Sequence, residues 1–157
     1  LSDAKYEILD LLEAHEHHIK DLYLAYSKTF PEFAAFWNAL AQEEASHAAL
    51  ISQLKKKAVE KGIEVSVKRF KPELLKTTIN YLKREAQKAK NKKVDIMYAM
   101  TNALEIEKSM IEREYFEVMN MDPEDLKKAL AYLSESTKRH VERVKIIWDE
   151  IRGGQFS

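Results

Sequence analysis

Three glycines and three prolines in 157 residues leave this chain almost without punctuation. They fall at Pro31, Gly62, Pro72, Pro123, Gly153 and Gly154, and the stretches between them are long, charged and amphipathic. A chain with so few places to turn folds into long helices. The first is expected from Asp3 to Lys28, with Ser2 as N-cap and Ile8, Leu12, Ile19, Leu22, Tyr23 and Tyr26 along one face. A turn at "KTFPE" follows, where Pro31 suits the first position of the second helix. That helix carries Phe33, Phe36, Trp37, Leu40, Leu50, Ile51 and Leu54, and stops at Gly62. The connection "IEVSVKRFKPE" leads into "LLKTTINYLKREAQKAKNKK", which reads as a shorter, solvent-rich helix. A third long helix is expected from Val94 to Met119, with Met97, Leu104, Ile111 and Val118 inward. Asp122 as N-cap and Pro123 at the first helical position then open a fourth, which continues through Leu130, Leu133, Val144 and Ile147 to Gly153.

Two pairs of long helices, each joined by a tight turn and linked by one long middle connection, is the layout of an all-α four-helix bundle with a crossover. The runner-up is a five-helix bundle in which the middle helix packs fully; its many lysines and few large apolar residues speak against equal burial. One domain, residues 1–157, accounts for the length, and the 45% apolar content supplies one core. Lys+Arg and Asp+Glu balance at 26 each, so nothing attracts nucleic acid or an anionic membrane. No apolar run approaches bilayer length, and the acidic, amphipathic start is neither a secretory signal nor a transit peptide. The expectation is a soluble cytoplasmic protein. With no cysteine, any metal must be held by Glu, Asp and His.

Extending each apolar seam in steps of three and four shows which polar residues it carries inward. The seam 8, 12, 16, 19, 23, 26 of the first helix contains Glu16 and Tyr23. The seam 33, 37, 40, 44, 47, 51, 54 of the second contains Glu44 and His47, at the spacing E-x-x-H that puts both on one face a turn apart. The third helix, read as 97, 100, 104, 107, 111, 114, 118, contains Glu107 and Glu114; the fourth, read as 130, 133, 137, 140, 144, 147, contains Thr137 and His140. Each helix brings polar groups to its middle, where water is hardest to reach.

An ionised carboxylate in a low-dielectric core costs several kcal/mol unless it is compensated. No Lys or Arg lies at the centre of these seams. The acids are therefore protonated, or face a wet cavity, or grip a divalent metal. Carboxylate oxygens with imidazole suit iron, manganese or zinc better than calcium or magnesium, and the lack of sulfur argues against copper(I). A metal-free helical interaction module, with the Glu and His hydrogen-bonded among themselves, is the reading to set against this one.

The constellation resembles the ferritin-like superfamily of di-iron carboxylate proteins, and within it the rubrerythrin-like group. That family's pattern is Glu, E-x-x-H, Glu and E-x-x-H on four successive helices. Glu16 matches the first element, Glu44 and His47 the second, Glu107 in "ALEIEKSMIE" the third, and His140 in "SESTKRH" the imidazole of the fourth. The departure is Thr137, which stands where the family has a bridging Glu; Glu135, five residues before His140, points elsewhere on a helix. The resemblance implies five ligands, Glu16, Glu44, His47, Glu107 and His140, with Glu114 and Thr137 as lesser candidates and Tyr23 as a hydrogen-bond donor to a ligand carboxylate. It also implies two iron ions, or one with a weak second site, and a peroxide- or dioxygen-dependent oxidoreductase. No cysteine-ligated rubredoxin module is present in the sequence, so electrons are expected from a separate protein, and a homodimer is expected from the likeness alone. The alternative is a degenerate site that binds iron, manganese or zinc without turnover.

Overall fold

A computed structural model describes residues 6–62, 72–112 and 124–154 of the chain. It is all-helical: α1 (Glu7–Thr29), α2 (Ala34–Lys61), α3 (Pro72–Lys90), α4 (Ile96–Glu112) and α5 (Glu124–Arg152), with no strand among the described residues. The expected all-α architecture is correct. The N-caps read at Ser2 and Asp122, Pro123, and the part of the third long helix beyond Glu112 lie outside the described residues.

Pro31 does its work one turn earlier than expected. It opens a single 3-10 turn, Pro31–Phe33, and α2 starts after it at Ala34. The amides of Phe30 and Phe33 donate to the carbonyls of Tyr26 and Phe30, both at 2.9 Å, so the chain reverses with its backbone polar groups satisfied. At the far end of α2, Gly62 takes a left-handed φ of 63°, which closes the helix where a side chain would be strained.

The seams of α1 and α2 are buried at every position named for them, from Ile8 to Tyr26 and from Phe33 to Leu54. Trp37 is the keystone between the two helices: its ring lies 4.8 Å from that of Tyr26, 5.5 Å from that of Tyr23 and 5.1 Å from that of Phe36. On α4, Met100, Leu104 and Glu107 are buried, while Met97 is half-buried; on α5, Leu133, Thr137, His140 and Val144 are buried and Ile147 is half-buried.

The middle helix packs more fully than its composition suggested. Leu75, Ile79, Leu82, Ala86 and Ala89 form a narrow stripe at steps of four and three, and this stripe is buried as α3 runs along α1. Its lysines occupy the opposite face, which is why the stripe is easy to overlook. A hydrogen-bonded cluster fastens α3 to α4: the hydroxyl of Tyr98 donates to buried Glu85, that of Tyr81 to Asn102, and Asn102 Nδ2 reaches Tyr26 of α1 at 3.0 Å. α1 thus packs along both α2 and α3, and α4 along α5, whereas α2 and α5 meet over only a short stretch. At that short stretch His47 of α2 stacks on His140 of α5.

Candidate metal centre

Four helices send their mid-seam polar groups to one place. Glu16 comes from α1, Glu44 and His47 from α2, Glu107 from α4 and His140 from α5, and none is more than 3% exposed. One potential ligand atom each from Glu16, Glu44 and His47 lies within 4.8 Å of the others, and the same holds for Glu44, Glu107 and His140. Glu44 belongs to both groups. The two imidazoles stack with ring centroids 5.4 Å apart and planes 17° from parallel.

The orientation of each imidazole decides what the arrangement can do. His140 turns Nε2 outward to Oε2 of Glu43, and because a carboxylate can only accept, Nε2 carries the hydrogen. Nδ1 faces inward, 3.0 Å from Glu44 Oε1 and 3.4 Å from Glu107 Oε1, and offers a lone pair there when the ring is neutral. Three electron-rich atoms at these distances repel one another unless a proton or a metal cation sits among them. His47 also turns Nδ1 inward, 3.5 Å from Glu44 Oε2 and 3.9 Å from Glu16 Oε2, with Nε2 2.7 Å from Ser136 Oγ, a hydroxyl that can donate or accept. Neither oxygen of Glu44, nor Oε2 of Glu107, finds a hydrogen-bond partner. Burying such a carboxylate costs several kcal/mol, more than the roughly 2 kcal/mol that a buried leucine would return in its place, so these acids are not core filling.

In the metal-free cluster protons take up the burden. Burial, reinforced by Glu44, pushes the Glu16 carboxyl up to about 8. Burial alone would lower the pKa of His47, but the Glu16 and Glu44 carboxylates outweigh it and push it up to about 10. In His140 the same opposition, with Glu107 and Glu44 as the carboxylates, ends at about 11. All three shifts favour the protonated form. A cation entering here displaces protons.

Other side chains hold the ligands in place. The hydroxyl of Tyr23 donates to Glu107 Oε1 at 2.7 Å, and burial, with Glu107 nearby, holds its pKa well above the usual phenol value. Thr137, the lesser candidate, turns its hydroxyl back to the Leu133 carbonyl at 3.0 Å and is spent on its own helix. Glu135 faces solvent beside Lys138, as its spacing from His140 required. Of the run His15 to His18, His15 and Glu16 are buried and His17 is exposed. Glu114 lies outside the described residues.

Sequence reasoning missed Glu43, Arg143 and Ser136. Arg143 Nη1 donates to both oxygens of Glu43, at 2.9 and 3.0 Å, and so clamps the carboxylate that orients His140; burial would raise the pKa of Glu43, but His140 and Arg143 hold it below the ordinary value. The signals were the doubled acid in "QEEASH" and an Arg one turn after His140. Glu43 lies off the seam, and a partner of the outer ring nitrogen is invisible to a reading of inward residues.

Searches against protein-family models, curated proteins and solved structures find no match to this chain. Its chemistry is carried by its own geometry. No helix among the described residues is long and apolar enough to cross a membrane.

Proposed function

We propose that the cluster is a two-ion metal centre of the ferritin-like, rubrerythrin-like kind, in which Fe(II) reacts with hydrogen peroxide or dioxygen. The observation that supports this most is the inward Nδ1 of His140, held toward Glu44 and Glu107 by a hydrogen bond on its other nitrogen. In the metal-free protein a proton on this nitrogen answers those oxygens, and a divalent cation would take its place. Here two imidazoles each turn a potential metal ligand inward, and Glu44, with two oxygens and two neighbouring imidazoles, is placed to be shared.

In this reading Glu16, Glu44 and His47 hold one ion, and Glu44, Glu107 and His140 hold the other. Iron bound there would supply the electrons that reduce the oxidant. The chain's part is to fix and protect. Glu43, clamped by Arg143, accepts the Nε2 hydrogen of His140 and so leaves its Nδ1 to face an ion, while Ser136 holds the outer nitrogen of His47 in place. Tyr23 holds Glu107 by its hydroxyl and limits how far that carboxylate can swing. The bundle excludes bulk water from the ligands. A separate electron-donor protein would complete turnover, and manganese or zinc fits the same donors.

A second reading is a binding protein without turnover, and Thr137 is the observation that favours it. With its hydroxyl bonded to Leu133, a single carboxylate is left to span both ions. One experiment orders the readings. Anaerobically prepared protein is desalted after incubation with Fe(II), its metal content is measured, and peroxide is then mixed in while iron oxidation is followed. Bound iron oxidised faster than free iron supports the oxidoreductase; bound iron oxidised no faster supports the binding protein; no retained metal removes both.

A further inference from the structure

The ligands are sealed, so something must move for an ion or an oxidant to arrive. Two side chains that touch the cluster also reach solvent: Glu43, 43% exposed against His140, and Tyr132, 53% exposed with its ring edge-on to His47 at 6.4 Å between centroids. Both stand on the short α2–α5 seam. They differ in how they are held. Glu43 is tied by His140 and twice by Arg143. The hydroxyl of Tyr132 has no hydrogen bond to a described residue, so moving this ring breaks none of those bonds.

The surroundings give the ring somewhere to go. Tyr132 borders a shallow groove between Ser46, Ala49, Leu50 and Gln53 of α2 and Lys128 and Ala129 of α5. Three of these six side chains are no larger than serine. One helical turn below Tyr132, on the same face of α5, Ser136 is buried and hydrogen-bonded to Nε2 of His47. The ring is therefore a thin cover over the His47 side of the cluster, with open groove on one side and the outer nitrogen of a candidate ligand on the other.

We propose that Tyr132 is the residue that controls access to the centre: its ring swings into the α2–α5 groove to admit small species, and its bulk sets the size that passes. The identity of what passes, a divalent cation and a small neutral oxidant, rests on the metal-centre reading above; the movement of the ring does not. Its rotation is a local opening that leaves the bundle intact.

The test uses the chain's lack of cysteine, which makes one introduced thiol unique. In metal-free Ser136→Cys protein of residues 1–157, labelling by small methyl methanethiosulfonate is compared with labelling by the bulkier Ellman's reagent. The small reagent is expected to react faster, and adding Tyr132→Ala is expected to raise the bulky reagent's rate roughly tenfold and erase the difference. Tyr132→Phe, which keeps the ring, should behave as Tyr132 does. A parallel Ala103→Cys variant on α4 reports general loosening. The proposal is overturned if Tyr132→Ala leaves the Ser136→Cys rates unchanged, or speeds the Ala103→Cys thiol equally. A second measurement follows Zn(II) capture from the protein by EDTA, where Tyr132→Ala should raise the release rate roughly tenfold with the dissociation constant unchanged. A matched change in affinity would make Tyr132 a packing residue and overturn the proposal. Failure to bind Zn(II) would remove the metal-centre reading, and the thiol labelling would still decide the gate.

Discussion

The two halves of the cluster share Glu44 and a stacked pair of imidazoles, yet they are supported differently. On the His140 side the outer nitrogen meets a carboxylate, Glu43, which Arg143 clamps, and the facing acid, Glu107, takes a hydrogen bond from Tyr23. On the His47 side the outer nitrogen meets only the hydroxyl of Ser136, and the cover is Tyr132, held by packing. A carboxylate behind an imidazole makes it a better donor and fixes it more firmly than a hydroxyl does. On the metal-centre reading, the difference makes one half the one that holds and the other the one that admits. The His140 half should fill first and tightly, the His47 half second and reversibly.

The severest break in the comparison is Glu44→Gln, because it removes the charge that both halves share. Loss of both ions is expected, read as metal content after desalting, with the helical circular dichroism retained. The metal-free variant should be less stable than the parent at neutral pH, because Glu44 is one of the carboxylates that stabilise both protonated imidazoles. If one ion is still retained at full affinity, the halves are independent and Glu44 is not their common ligand.

Glu43→Gln should come next. It keeps the shape but takes the charge from behind His140, and loss of such a partner costs on the order of 10–100-fold in metal affinity. Titration with Zn(II) should then show two weak, similar steps in place of one tight and one weak. An unchanged first step would mean that the clamp on His140 does not set the order of filling.

How much of this was legible beforehand follows from where each residue sits. Glu16, Glu44, His47, Glu107 and His140 lie on the apolar seams of four long helices, and the step of three and four that buries Leu12, Ile51 or Val144 buries them too. Helix periodicity alone placed them inward. It could not place Glu43, Ser136 or Tyr132, because those stand at the margins of the seams, where a small rotation of α2 against α5 decides whether they touch a ligand. The packing of α3 escaped for a related reason: five small-to-medium apolar residues suffice for a stripe when α1 presents a complementary face, and average composition does not report spacing. Thr137 shows the opposite case, a departure visible in the sequence whose meaning became plain only when its hydroxyl was found on Leu133.

The pH dependence of the metal-free protein probes both halves together. Glu16, His47 and His140 all have folded pKa values raised above their unfolded ones, so the folded state binds the extra protons. For the two imidazoles the stabilising contribution is full below about 6.5, the unfolded histidine value, and is lost as pH climbs through about 10 and 11. For Glu16 the neutral carboxyl is the favoured form, so stability falls between about 4.5 and about 8. The melting temperature of the metal-free protein should therefore decline as pH rises from 6 to 10. Metal affinity should rise over the same range, because fewer protons need displacing. A melting temperature that climbs with pH would mean the acids are not packed against one another as the geometry requires.

The smallest effect expected is that of Ser136→Ala, and it is the sharpest test of the asymmetry. The hydroxyl supports the half that the comparison assigns to the second, weaker ion, so only that step of the titration should shift, by a few-fold, consistent with the net value of about 1 kcal/mol of a neutral hydrogen bond. The first step should not move at all. An effect on the first step as large as that of Glu43→Gln would show that His47 and His140 act as one stacked unit, and the division of the cluster into a holding half and an admitting half would have to be given up.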